Sequence, residues 1–144
     1  MKRTGVVLII VLAFCGLSDS AYIAQQETNN ASLLCDVQNL SGCNIVAASQ
    51  YSHLFGIPLA DYGIVFYGII FILAALELVL ANKLLRRLLQ GISLIGVADS
   101  LYFTFLQIFV IRELCIFCLA SAFIALCILV SASFIEPLRI KQRV

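Results

Sequence analysis

The chain has 144 residues, of which 62% are hydrophobic and 12% charged, and its mean hydropathy is +1.07. A soluble globule of this size needs far more polar surface, so the composition excludes one and indicates a single-domain integral membrane protein. The net charge of +1 says little by itself, but the few basic residues all lie beside apolar stretches, which argues against a nucleic-acid binder.

Met1-Lys2-Arg3-Thr4 is a short basic start, and residues 5–24 read as a first apolar helix. A cleaved signal peptide is the competing reading, but Ser18-Asp19-Ser20 is a poor cleavage neighbourhood and Asp19 interrupts the apolar run. Leu12-Ala13-Phe14-Cys15 is no lipoprotein box, because Phe14 stands where a small residue is needed. A polar outer loop over 25–61 follows, with Cys35, Cys43, Tyr51, Ser52 and His53, and a turn at Gly56-Ile57-Pro58. Three more apolar helices are predicted over 62–81, 88–109 and 114–135. Asn82 to Arg87 is a basic connection, Ile111-Arg112-Glu113 is a tight turn, and Glu136-Pro137 stops the last helix before Arg139, Lys141 and Arg143. The expected fold is all-α: a four-helix membrane bundle with an extracytoplasmic loop carrying a cysteine pair.

Lysine and arginine collect at the N-terminus, between helices two and three, and at the tail, so these places are expected on the cytoplasmic side. Cys35, Cys43, Cys115 and Cys118 then all fall on the outer face, while Cys15 and Cys127 fall within spans as small apolar residues. There is also an internal repeat. Gly16-Leu17-Ser18-Asp19-Ser20-Ala21-Tyr22 resembles Gly96-Val97-Ala98-Asp99-Ser100-Leu101-Tyr102, which predicts that helices one and three take similar places in the bundle. Asp19 and Asp99 are expected to cap backbone groups near the outer helix ends, with proton handling as the alternative. Glu77 is expected to snorkel from helix two to the inner interface.

The chemistry centres on Cys115-Ile116-Phe117-Cys118 at the start of the last helix. A Cys-x-x-Cys pair opens and closes as a two-electron couple, and a helix N-terminus stabilises thiolate. Its small loop removes little unfolded-state entropy, so a static structural disulfide explains it poorly. A zinc site is a weak alternative, because Cys35 and Cys43 are too widely spaced for the usual ligand pair. Phe55, Tyr62, Phe66, Tyr67, Tyr102, Phe103 and Phe117 could line a flat apolar pocket or simply pack, and His53 reads as a surface residue.

These residues resemble the vitamin K epoxide reductase family, in its bacterial form without a fused thioredoxin-like domain. The resemblance rests on Cys35, Cys43 with Ser49 six residues on, Phe55-Gly56-Ile57-Pro58, Gly63, and Cys115-Ile116-Phe117-Cys118, and covers nearly the whole chain. It implies a four-helix bundle around a quinone of the ubiquinone, menaquinone or vitamin K type, with Phe55, Tyr62, Phe66 and Phe117 as candidate quinone contacts. It implies that Cys35 exchanges disulfides with a thioredoxin-fold partner, that Cys43 relays electrons to Cys115, and that Cys118 lies next to the quinone. Ser49 is implied as a hydrogen-bonding group near the loop cysteines; read alone it is an ordinary loop or cap serine. Ala122 departs from the family pattern, since vertebrate members carry a quinone-contacting tyrosine there. The activity implied is a quinone-dependent thiol-disulfide oxidoreductase supporting disulfide formation, in the inner membrane of a bacterium with its site on the periplasmic side. Disulfide bond formation protein B does similar work but has its cysteine pairs in the reverse order. A non-catalytic membrane scaffold with structural disulfides is the other alternative.

Overall fold

The computed structural model describes residues 2–31, 33 and 42–135. Cys35, the rest of 34–41 and the basic tail from Glu136 onward lie outside the described residues. Helix α1 runs from Lys2 to Thr28, longer than its apolar run, because Gln25 to Thr28 continue the helix beyond it. It stops where Asn30 takes a left-handed conformation (φ 50°), which asparagine tolerates. A short helix α2 spans Gly42–Ala47. An antiparallel hairpin then pairs β1 (His53–Leu54) with β2 (Ile57–Pro58), and its two tip residues, Phe55 and Gly56, both have positive φ.

Helix α3 (Leu59–Leu80) begins directly after Pro58, whose fixed φ suits a helix start. Ala81 ends α3 in the left-handed region, and Asn82 caps α4 (Lys83–Phe105) by accepting the Leu84 N–H at 3.0 Å. Only two residues therefore join α3 to α4, and the basic run over 83–87 is helical rather than a connection. A π-helical turn, Leu106–Ile111, extends α4 until Arg112 breaks it at φ 59°. Residues 112–115 cross over, and α5 occupies Ile116–Ile135. All four long helices are apolar enough to cross a membrane.

The helices close a ring in which α1 and α4 each touch both α3 and α5. The core between them is Ile9, Ala13, Tyr67, Ile70, Leu89 and Ile128 with their neighbours. Large apolar residues such as Val79, Phe123 and Phe134 point outward, as lipid requires. The repeated segments do take matching places. A Cβ on Gly16 would meet the Tyr67 ring, and one on Gly96 would meet the Phe66 ring, so each copy notches onto an adjacent aromatic of α3. These two rings stand edge to face, 5.1 Å between centroids.

Two expectations are corrected. Asp19 and Asp99 lie inside continuous helix rather than at its ends, where orphan backbone groups need capping, and Asp19 Oδ2 is buried without a hydrogen-bond partner among the described residues. Glu77 does not snorkel. It is 2% exposed and ion-paired with Arg86, which the tight α3–α4 turn swings back over it.

Candidate functional site

At the end of the bundle where α1 and α4 finish and α3 and α5 begin, the helices part around a cavity of about 370 Å³. Cys43, Cys115 and Cys118 all line it. Cys43 and Cys115, far apart in sequence, share one buried cluster with Leu33, at 1% and 3% exposure, and Tyr22, Phe117 and Cys118 pack around it. Gly42 makes this approach possible: a Cβ there would overlap the Leu114 carbonyl oxygen, so α2 docks its first turn directly on the backbone before Cys115. Asn44 holds the other side by accepting the Leu33 N–H at 3.0 Å. Cys43 is in a disulfide, whereas Cys15, Cys115, Cys118 and Cys127 are free thiols.

Cys115 ends the 112–115 link, and Cys118 sits in the first turn of α5. A hydrogen bond from the Cys118 thiol, supported by the N–H groups of Cys118 and Phe117, brings the Cys115 thiol down from an ordinary 9 to about 7 against the opposing effects of burial and the Asp19 charge. Its own N–H donates to Gln107 Oε1 at 3.2 Å, and the same Gln107 side chain hydrogen-bonds Cys118. Gln107 is 3% exposed and belongs to the π-helical turn, which aims it across the mouth of α5. One amide thus braces both sulfur positions of the Cys-x-x-Cys pair.

The aromatic candidates divide. Phe66 and Tyr62 line the cavity, and the Tyr62 hydroxyl donates to Leu54 O at 3.1 Å, tying the hairpin down. Phe117 packs on the cysteine cluster instead, its ring 5.4 Å from that of Tyr22. Phe55 is at the hairpin tip, 92% exposed and outside the cavity lining. Ser49 faces the cavity, but its hydroxyl donates to Val46 O at 2.7 Å and closes the end of α2. Tyr67 donates to Ser121, linking α3 to α5 one turn past Cys118. His53 is exposed and bonded to Ser52. Cys35 lies outside the described residues. Sequence reasoning missed Gln107 and Gly42. A lone amide in the apolar run 105–111 was the available signal for the first, and a glycine directly before a cysteine for the second.

Chemically, the cavity presents a free dithiol, one member acidified, beside a second buried cysteine and mostly apolar walls. That is an arrangement for passing electrons between disulfides and a small apolar molecule. The chain matches the model of the vitamin K epoxide reductase family over residues 7–133, and it belongs to that family. It is accordingly a multi-pass membrane thiol-disulfide oxidoreductase.

Proposed function

We propose that this member of the vitamin K epoxide reductase family carries electrons from a reduced thioredoxin-fold protein to a quinone, and so supplies oxidising power for disulfide formation. The observation that carries this reading is the contact of Cys43 with Cys115 at the mouth of a cavity lined by Cys118. At about 370 Å³ the cavity falls in the size class of small-molecule sites, roughly 300–1,000 Å³. Phe66, Tyr67 and Phe103 give it flat apolar walls for a quinone ring. A bound quinone supplies an acceptor for two electrons and two protons.

The chain's own residues perform the rest by disulfide exchange. A partner thiolate attacks Cys35 of a Cys35–Cys43 disulfide; the burial of Cys43 favours attack at the other sulfur. The partner leaves as its own disulfide, and Cys43 is released as thiolate. Cys43 attacks Cys115 of an oxidised Cys115–Cys118 pair, freeing Cys118. Cys35 then attacks the Cys43–Cys115 bridge, restoring its bond to Cys43 and leaving Cys115 and Cys118 reduced. Gln107 holds the pair in register, and the acidity of Cys115 keeps one sulfur of the pair a ready thiolate near pH 7.

Lys83, Arg86 and Arg87 lie at the opposite end of the bundle from the cysteines, which favours an extracytoplasmic site by the charge bias of membrane loops, in a bacterium the periplasmic side of the inner membrane. The test is quinone reduction by purified protein with a reduced thioredoxin-fold donor, beside Cys118→Ala. Quinone-dependent turnover that vanishes in the variant is expected. No turnover with ubiquinone, menaquinone or vitamin K types, with the outer cysteines inert to exchange, would favour a structural scaffold.

A further inference from the structure

The thiols account for the electrons, but the cavity holds more than thiols. Asp19 lines it from α1, two turns inside the membrane end, and Asp99 lines it from α4. Among the described residues no lysine or arginine lines the cavity. Asp19 Oδ2 is buried with no hydrogen-bond partner there, and it lies near enough to act electrostatically on Cys115, Cys118 and Tyr67 alike. A carboxyl inside a span without a counter-ion is costly and marks a proton or substrate path.

The same face of α1 continues the path. Asp19, Ile23 and Glu27 recur at four-residue steps, and all three line the cavity. Glu27 stands about 12 Å further along the helix, at its outer end. It too has a buried carboxylate oxygen, Oε2, without a partner among the described residues. His53 on the hairpin and Asp61 on α3 are near enough to act on it. The groups facing the two carboxyls are therefore Tyr67 and Asp61 from α3, Asp99 from α4, Cys115 and Cys118 at α5, and His53 from the hairpin.

We propose that Asp19 is a catalytic proton donor to the quinone and that Glu27 resupplies it from the outer aqueous face. This rests on the quinone reading above. The stoichiometry requires such a donor. With Cys115 as thiolate and Cys118 as thiol, closing their S–S bond releases two electrons but only one proton. Quinol formation consumes two electrons and two protons. The Cys118 proton supplies one, and the Asp19 carboxyl supplies the other and becomes carboxylate. Charge is conserved at minus one on both sides. Water at the mouth then returns a proton to Asp19 through Glu27, and the next dithiol begins a new cycle.

The experiment is single-turnover quinone reduction by pre-reduced protein across pH, in wild type, Asp19→Asn, Asp99→Asn and Glu27→Gln. Quinone affinity is measured in parallel by equilibrium dialysis. Asp19→Asn is expected to slow the step by about 100-fold or more, the usual scale for losing a general acid, and to lose the alkaline fall in rate that wild type shows. Its quinone affinity should stay within about threefold, and Asp99→Asn should retain that alkaline fall. Glu27→Gln should slow repeated turnover more than the first. Labelling by dicyclohexylcarbodiimide, which attacks protonated carboxyls in apolar surroundings, should modify wild-type Asp19 and be blocked by quinone. Wild-type rate and pH profile in Asp19→Asn would overturn the proposal; should that variant not fold, failure of active wild type to label at Asp19 would do so. A wild-type protein that reduces no quinone sinks the functional reading itself, a separate outcome.

Discussion

The hydrogen bond from Cys118 to Cys115 can be tested by its effect on acidity. Cys118→Ala removes the donor, and Cys118→Ser keeps a hydroxyl donor in its place; both prevent the pair from closing. With the thiol at about 7, half of Cys115 is thiolate at pH 7; at the ordinary 9, about 1% is. That is about a 50-fold difference in reactive species. A less basic thiolate is a weaker nucleophile, however, and a two-unit drop costs about eightfold at a Brønsted slope near 0.45. The net expectation at pH 7 is that Cys115 alkylates about sixfold faster in Cys118→Ser than in Cys118→Ala. The sign in pH follows from thiolate being the reactive form: reactivity is full at alkaline pH and is lost as pH falls through the midpoint. That midpoint should lie near 7 in the serine variant and near or above 9 in the alanine variant. Iodoacetamide trapping after mild reduction, read by peptide mass at Cys115, measures both. Equal midpoints in the two variants would refute the assignment of the acidity to this bond and leave the helix N-terminus as its source.

Three further outcomes follow from packing. Gly42→Ala forces its methyl into the Leu114 carbonyl, and an ångström-scale retreat of α2 is expected to slow thiol exchange between Cys43 and Cys115 by about 100-fold, measured by stopped-flow with a reduced partner, while Cys115 alkylation is unchanged. Gln107→Leu leaves the buried Cys115 N–H unpaired, so it should lower stability by about 1–3 kcal/mol in thermal unfolding and slow quinone reduction without changing the thiol count. Arg86→Met strands Glu77 and should destabilise the protein by about 3 kcal/mol or more, a loss that Glu77→Leu in the same chain largely recovers.

Much of the bundle was legible because lipid imposes one long apolar run per span. Its ends were not, since helix propagation continues through polar residues such as Gln25 to Thr28 and Lys83 to Arg87 wherever backbone bonding is unopposed. The cysteines announced the site through their spacing, and the glycine-aspartate-serine repeat announced a packing symmetry that Gly16 and Gly96 display against Tyr67 and Phe66. What a sequence pattern does not carry is the direction of a side chain. Phe55 and Phe66 look alike as aromatics near a motif; a positive-φ hairpin turns one outward, and a glycine notch draws the other in. Gln107 was hidden for the same reason, because only a π-helical turn changes the helical phase enough to aim it at both sulfurs.

The two rings of α3 seated in glycine notches have one more effect. They form a floor, and beneath it Ile9, Ala13, Ile70, Ala74 and Ile128 fill the bundle. Every group that exchanges an electron or a proton in the scheme above stands on the outer side of that floor, and so does the mouth of the cavity. A cycle that takes in and gives out its charges through one opening moves no net charge across the insulating layer. Its rate should therefore be indifferent to membrane voltage, and an energised vesicle and a collapsed one should oxidise partner thiols equally fast.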